Sequence, residues 1–76
     1  MTFFCIGDED TVRGFRLAGV EGAAVNSAAE VSAALAGVAA RPDCGVIIIT
    51  SAAAGLARAA VEEIRLERAR PLVVEI

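Results

Sequence analysis

The chain has 76 residues, with seven basic and ten acidic side chains, a net charge of −3 and no histidine. That length holds one domain, and a chain with no lysine and no basic stripe has nothing to neutralise a phosphate backbone, so nucleic acid is excluded as a partner. No apolar run approaches the roughly 18 residues that a membrane span needs, and no basic-then-apolar leader opens the chain, so a soluble cytoplasmic protein with no membrane insertion is expected.

Hydrophobic residues make up 57% of the chain and aromatics only 4%. Much of the apolar content is alanine, which favours helix but buries little area, so the core must come from a few Val, Ile, Leu and Phe side chains on strands. Thr2 to Ile6 reads as a first, buried strand. Gly7 ends it, and Asp8 or Asp10 can cap a following helix, with the neighbouring carboxylates suited to its positive N-terminus. The helix is expected from about Asp10 to Ala18. Val12 and Phe15 share one face, Arg13 and Arg16 lie beside them, and Gly19 is placed to stop the helix.

Val20 to Val25, diluted by Glu21 and Gly22, reads as a weaker edge strand. Ser27 with Glu30 three residues later forms a capping box for a second helix, which carries Val31, Leu35 and Val38 on one stripe and ends near Ala40. Arg41-Pro42-Asp43 is a turn signal. Cys44 to Thr50 is the strongest strand, since the uninterrupted Val46-Ile47-Ile48-Ile49 suits a central strand buried on both faces. A third helix is expected from about Ala53 to Ala69, with Ala53, Ala57, Ala60, Val61 and Ile64 inward. Arg58, Glu62, Arg65 and Arg68 face water, and Arg58 and Glu62 form an i,i+4 pair. Arg70-Pro71 ends this helix, because a residue before proline leaves the α region. Leu72 to Ile76 is the fourth strand.

The resulting β-α-β-α-β-α-β order predicts one α/β domain over 1–76. Its three layers comprise a four-stranded parallel sheet, order 2-1-3-4, with flanking helices in the flavodoxin-like or receiver-like arrangement. Cys5 and Cys44 lie far apart in apolar runs and read as buried thiols. With no CxxC pair and no histidine, a metal site is not expected.

Such sheets bind ligands beyond the carboxyl ends of their strands. Here that edge offers Asp8, Glu9 and Asp10 after strand 1, then Thr50 and Ser51 after strand 3. An acidic cluster after strand 1 fits a phospho-receiver, the alternative reading as a regulatory or small-ligand domain. A receiver, however, accepts the phosphoryl group on an aspartate at the end of strand 3 and pairs it with a lysine. Ile49-Thr50-Ser51 stands at that place, and the chain has no lysine. There is no GxGxxG turn and no GxxxxGK[ST] loop for a nucleotide, and no base to activate a serine or cysteine. No cofactor and no catalytic activity are expected.

Gly14 is the residue the pattern leaves unexplained. A mid-helix glycine costs about 1 kcal/mol relative to alanine. Either the helix packs closely on its own sheet there, or another chain's helix docks on it. Leu17, off the Val12–Phe15 stripe, favours a second face open to a partner.

The run Phe4-Cys5-Ile6-Gly7-Asp8-Glu9-Asp10-Thr11-Val12-Arg13, continuing Gly14-Phe15-Arg16-Leu17-Ala18-Gly19-Val20, resembles the N-terminal pattern of the F subunit of V-type and A-type rotary ATPases. The resemblance implies a non-catalytic part of the central rotor stalk, peripheral to the membrane. Such a protein binds the coiled coil of the D subunit and, through it, the catalytic head, and helps couple ATP hydrolysis or synthesis to ion translocation. The matching positions Gly14, Phe15, Arg16, Leu17, Ala18 and Gly19 become the candidate partner interface. Members of that family usually continue into a C-terminal helix or tail, which this chain, ending at Glu75-Ile76, is expected to lack. Its exposed last strand would then be open to pairing with a second copy.

Overall fold

The computed structural model describes residues 1–76. Apolar strands and capped helices alternate along the whole chain: β1 (Thr2–Gly7), α1 (Glu9–Leu17), β2 (Glu21–Ala24), α2 (Ala28–Ala39), β3 (Cys44–Ile49), α3 (Ser51–Leu56), α4 (Arg58–Glu67) and β4 (Leu72–Glu75). The four strands form one sheet in the order β2-β1-β3-β4, every neighbouring pair parallel, as the sequence predicts. The β-branched run of β3 occupies the interior of the sheet, where both ladders are filled. The glycine- and alanine-diluted β2 lies at one edge.

The core is one-sided. Ile6, Ile47, Ile49 and Val73 project from the sheet to meet Val31, Leu35, Val61 and Ile64 of α2 and α4 in a single cluster. Cys5 and Val12 are also buried but stand outside that cluster, beneath α1 on the opposite face. This corrects the expectation that β1 and β3 are buried throughout. Thr2 and Phe3 are exposed, and Val46 and Ile48 are only half-buried, because residues alternating along a strand point to a face that α1 covers only in part.

The third predicted helix is two helices. Ala57 leaves helical geometry at φ −144°, ψ 54°, between α3 and α4. The sequence carries one signal for this, Gly55, a poor helix former two residues earlier. The bend lets the short, alanine-rich α3 set Ala53 and Ala54 against the sheet while α4 turns Val61 and Ile64 inward. It also redirects Arg58. Instead of pairing with Glu62, its guanidinium makes two hydrogen bonds to Glu75 on β4, at 2.7 and 3.1 Å, and Glu62 pairs with Arg65 at 3.3 Å. Those hydrogen bonds from Arg58 hold the Glu75 carboxyl below its usual range. Helix α4 stops at Glu67, short of the predicted Ala69, because Arg68 is already extended; its side chain donates to the Ala39 carbonyl at the end of α2, at 3.0 Å. Beyond β4 the Ile76 amide donates to Ile49 and the Ser51 amide to Ile76, at 2.9 and 2.8 Å, so the last residues are tied into the sheet.

Candidate partner interface

Helix α1 is built from both ends by local chemistry. Asp8 is its N-cap: one carboxylate oxygen accepts from the Thr11 amide at 3.1 Å, and the other from the Thr11 hydroxyl at 2.6 Å. The hydroxyl bond, followed by the amide bond, depresses the Asp8 pKa below its ordinary 3.8. Asp10 is not a cap. It lies in the first turn with Glu9, where carboxylates suit the helix dipole, and pairs with Arg13 at 3.5 Å. At the other end Gly19 adopts φ +88°, its amide bonded to Arg16 and that of Val20 to Phe15, a complete glycine C-cap.

Because the folded pKa of Asp8 is depressed, its contribution to stability is fully present above 3.8 and lost as pH falls through the folded value. Asp8→Ala is therefore expected to lower the melting temperature at neutral pH, with the gap to wild type closing in strong acid. Asp10→Ala should leave the midpoint nearly unchanged. Thermal melts from pH 2 to 7 check this; an Asp10→Ala loss as large as that of Asp8→Ala would refute it.

The second helix is capped as a variation on the predicted box. Ser27 accepts from the Glu30 amide at 3.2 Å, but Glu30 reaches back to the amide of Asn26, at 2.6 Å, one residue beyond the reciprocal partner.

The carboxyl edge of the sheet is occupied by the fold's own bonds. Thr50, where a receiver keeps its aspartate, caps α3 by accepting from Ala53 at 3.1 Å, and Ser51 donates to the Ile76 carbonyl at 3.0 Å. A β-carbon on Gly7 would meet the Thr50 methyl at 2.7 Å, so β1 and the start of α3 are in close contact. The roomiest depressions, each of about 510 Å³, lie at the opposite end of the sheet beside Val20, Glu21 and Arg41. There Arg41 bridges Glu21 at 3.0 Å and Asp43 at 3.4 Å, with its guanidinium 6.0 Å from the centre of the Phe4 ring. The hydrogen bond from Arg41 holds the Asp43 carboxyl below its ordinary range. Both thiols are free and buried, as expected, and burial raises the Cys5 pKa.

The six predicted interface residues divide by what they do. Gly19 serves the turn. Arg16 reaches back to the Gly22 carbonyl at 3.3 Å, and Phe15 is half-buried. Gly14, Leu17 and Ala18 are exposed, Leu17 by 86%. A β-carbon built on Gly14 meets nothing within 4 Å, so close packing on its own sheet is not the reason for that glycine. An exposed helix glycine and a bare leucine in the last turn, next to the C-cap, leave an outer face that the domain itself does not use.

The family model of the ATP synthase (F/14-kDa) subunit matches residues 3–76. The chain belongs to the ATP synthase F-subunit family. The crystal structure of the V-type ATP synthase F subunit from Archaeoglobus fulgidus is similar to it with a TM-score of 0.81 at 30% identity, over 99% of this chain and 95% of that one. No curated protein matches it in sequence. As an F subunit, the chain is part of an ion-transporting ATP synthase complex and so has protein partners, and no helix in it is long and apolar enough to cross a membrane. In this F subunit the motif from Phe4 to Val20 spans the last four residues of β1, α1 with both its caps, and the entry to β2.

Sequence reasoning missed one surface, the sheet face beside α1 on β3 and β4. The signal was in the strand order. With right-handed crossovers, order 2-1-3-4 sends the first connection one way and the next two the other, which puts one helix on one face and the rest on the opposite face.

Proposed function

We propose that this chain is a non-catalytic rotor component of the central stalk of a V-type or A-type ATPase, docked on the D subunit and through it linked to the catalytic head. It acts as one folded unit over residues 1–76, on the cytoplasmic side and peripheral to the membrane, and helps couple ATP hydrolysis or synthesis to ion translocation. The observation that carries the reading is the outer face of α1. Gly14, Leu17 and Ala18 lie inside the family motif, yet they are exposed and contribute nothing to the domain's own core. A helix glycine that costs about 1 kcal/mol is accounted for if a partner approaches there. The mechanism is mechanical: the domain rides on the shaft, and no side chain performs chemistry. The open edge of β4 is where isolated copies would pair when the complex is absent.

Co-purification with the cognate D subunit, followed by size-exclusion chromatography, tests this. A one-to-one complex is expected, weakened about tenfold or more by Leu17→Asp or Gly14→Trp in variants whose circular dichroism is unchanged. Wild type that elutes apart from the D subunit would sink the proposal. Folded variants that bind as wild type would remove α1 from the contact.

A further inference from the structure

The sheet is covered unequally. Helices α2, α3 and α4 fill one side, whereas on the other α1 packs on β1 and β2 alone, with Val12 set against Cys5 and Gly22. The strand register places Phe3, Val46 and Leu72 in one row on the α1 side, and Ile48 and Val74 in the next. All five side chains are apolar, and no helix lies over β3 and β4 there. Leu72 is 61% exposed, Phe3 44% and Val74 40%. A contiguous apolar sheet face of this kind marks an interaction site.

Its dimensions select the occupant. Strands lie about 4.8 Å apart, so β3 and β4 present a strip about 10 Å wide beside α1. An α-helix with its side chains is about 10 Å across, and packed helices lie about 8–10 Å apart. The strip therefore holds one helix and no more. It is too narrow to supply the roughly 800 Å² per partner that a stable globular dimer buries, which argues against a second copy. The wall of the strip is also suited to a helix. Arg16 turns toward β2, so Thr11, Phe15 and Ala18, on the other side of the buried Val12, flank the strip, while Gly14, half a turn from Val12, points away from the sheet. A shallow depression of about 390 Å³ runs over this side of α1 from Thr11 and Ala18 up to Gly14, and these small residues leave room for a neighbouring backbone beside the helix.

We infer that a single amphipathic helix of the partner lies in this trough alongside α1, covering Val46, Ile48, Leu72 and Val74 and completing the second helical layer. The inference rests on the reading of the partner as the D subunit and names the surface that partner takes. The occupant is a helix with apolar residues at i, i+3, i+4 and i+7.

The test is titration of the whole chain with the D subunit, comparing Val74→Glu and Leu72→Glu with wild type, alongside methyl NMR of the unmodified chain. Both side chains are exposed in the free domain, so the variants should keep their fold. In the complex a new carboxylate would be buried without a partner. The expected result is a Kd raised about tenfold or more for each variant, with the Val46, Ile48, Leu72 and Val74 methyl signals shifting on binding. If one variant fails to fold, the other and the methyl shifts still decide. Variants that bind as wild type, with those methyls unmoved, overturn the trough and leave the stalk role standing. Wild type with no affinity for the D subunit overturns both. A free chain that sediments as a dimer, made monomeric by Val74→Glu, would name a second copy as the occupant and overturn the helix.

Discussion

Gly22→Ala is expected to destabilise the domain by about 2–3 kcal/mol, far more than a single added methyl usually costs on an edge strand. Gly22 pairs with Cys5 across β2 and β1, beneath α1. A β-carbon there would stand 2.7 Å from the Cys5 carbonyl oxygen and 2.9 Å from a Val12 methyl. The first obstacle is backbone of an interior strand and cannot swing aside, so either the two strands must part or α1 must lift from the sheet. Gly45 makes the comparison. The atoms nearest a β-carbon at Gly45 all belong to the flexible side chain of Met1, which can move away, and Gly45→Ala should cost less than about 1 kcal/mol. A chain of this length has roughly 4–11 kcal/mol of total stability, so Gly22→Ala removes a large share of it. Urea unfolding monitored by circular dichroism gives both values, and equal midpoints for the two variants would refute the argument.

Ile47→Ala should cost about 3–4 kcal/mol, while Ile48→Ala, its neighbour on the same strand, should cost no more than about 2. Ile47 is fully buried among α2, α3 and α4, and truncating it leaves a cavity that the surrounding helices cannot close. Ile48 points to the half-covered face, where water already reaches the side chain and can fill the space left by the lost methylenes. The pair thus measures the one-sidedness of the core directly. Equal losses at the two positions would mean that both faces of β3 are buried, and would undercut the trough beside α1 as well.

Most of the architecture is legible in the residues, for identifiable reasons. Asp8, Ser27 and Thr50 stand where strands end, and each caps a helix. Val46 to Ile49 is continuous and β-branched, which suits an interior parallel strand, and four strands separated by helical stretches leave few topologies. What was misread depends on contacts that are distant in sequence. The break at Ala57 is accompanied by Arg58 reaching Glu75, seventeen residues away, and in the alanine-rich run only Gly55, a weak signal, hints at it. Burial on one face or two is likewise invisible in a run of four β-branched residues, because it depends on how many helices lie over each side. At the candidate interface, the sequence singled out Gly14 and Leu17 as unexplained. Only the fold shows that Gly14 is open to solvent, that Arg16 and Gly19 serve the domain's own turns, and that the flank beside them borders bare sheet.

Parallel strands have a further consequence for the charges. Since every strand runs the same way, the helices that return between them all begin at one edge of the sheet and end at the other. Their amino ends gather Asp8, Glu9, Asp10 and Glu30, joined by Glu75, with Arg58 as the counterweight; at their carboxyl ends Arg16, Arg41, Arg68 and Arg70 are largely offset by Glu21, Asp43 and Glu67. The net charge of −3 is therefore unevenly spread, with the acidic excess at the amino ends of the helices and the opposite end close to balance. A charged partner approaching through water experiences a torque before it experiences a contact, and that torque sets which end of the domain arrives first.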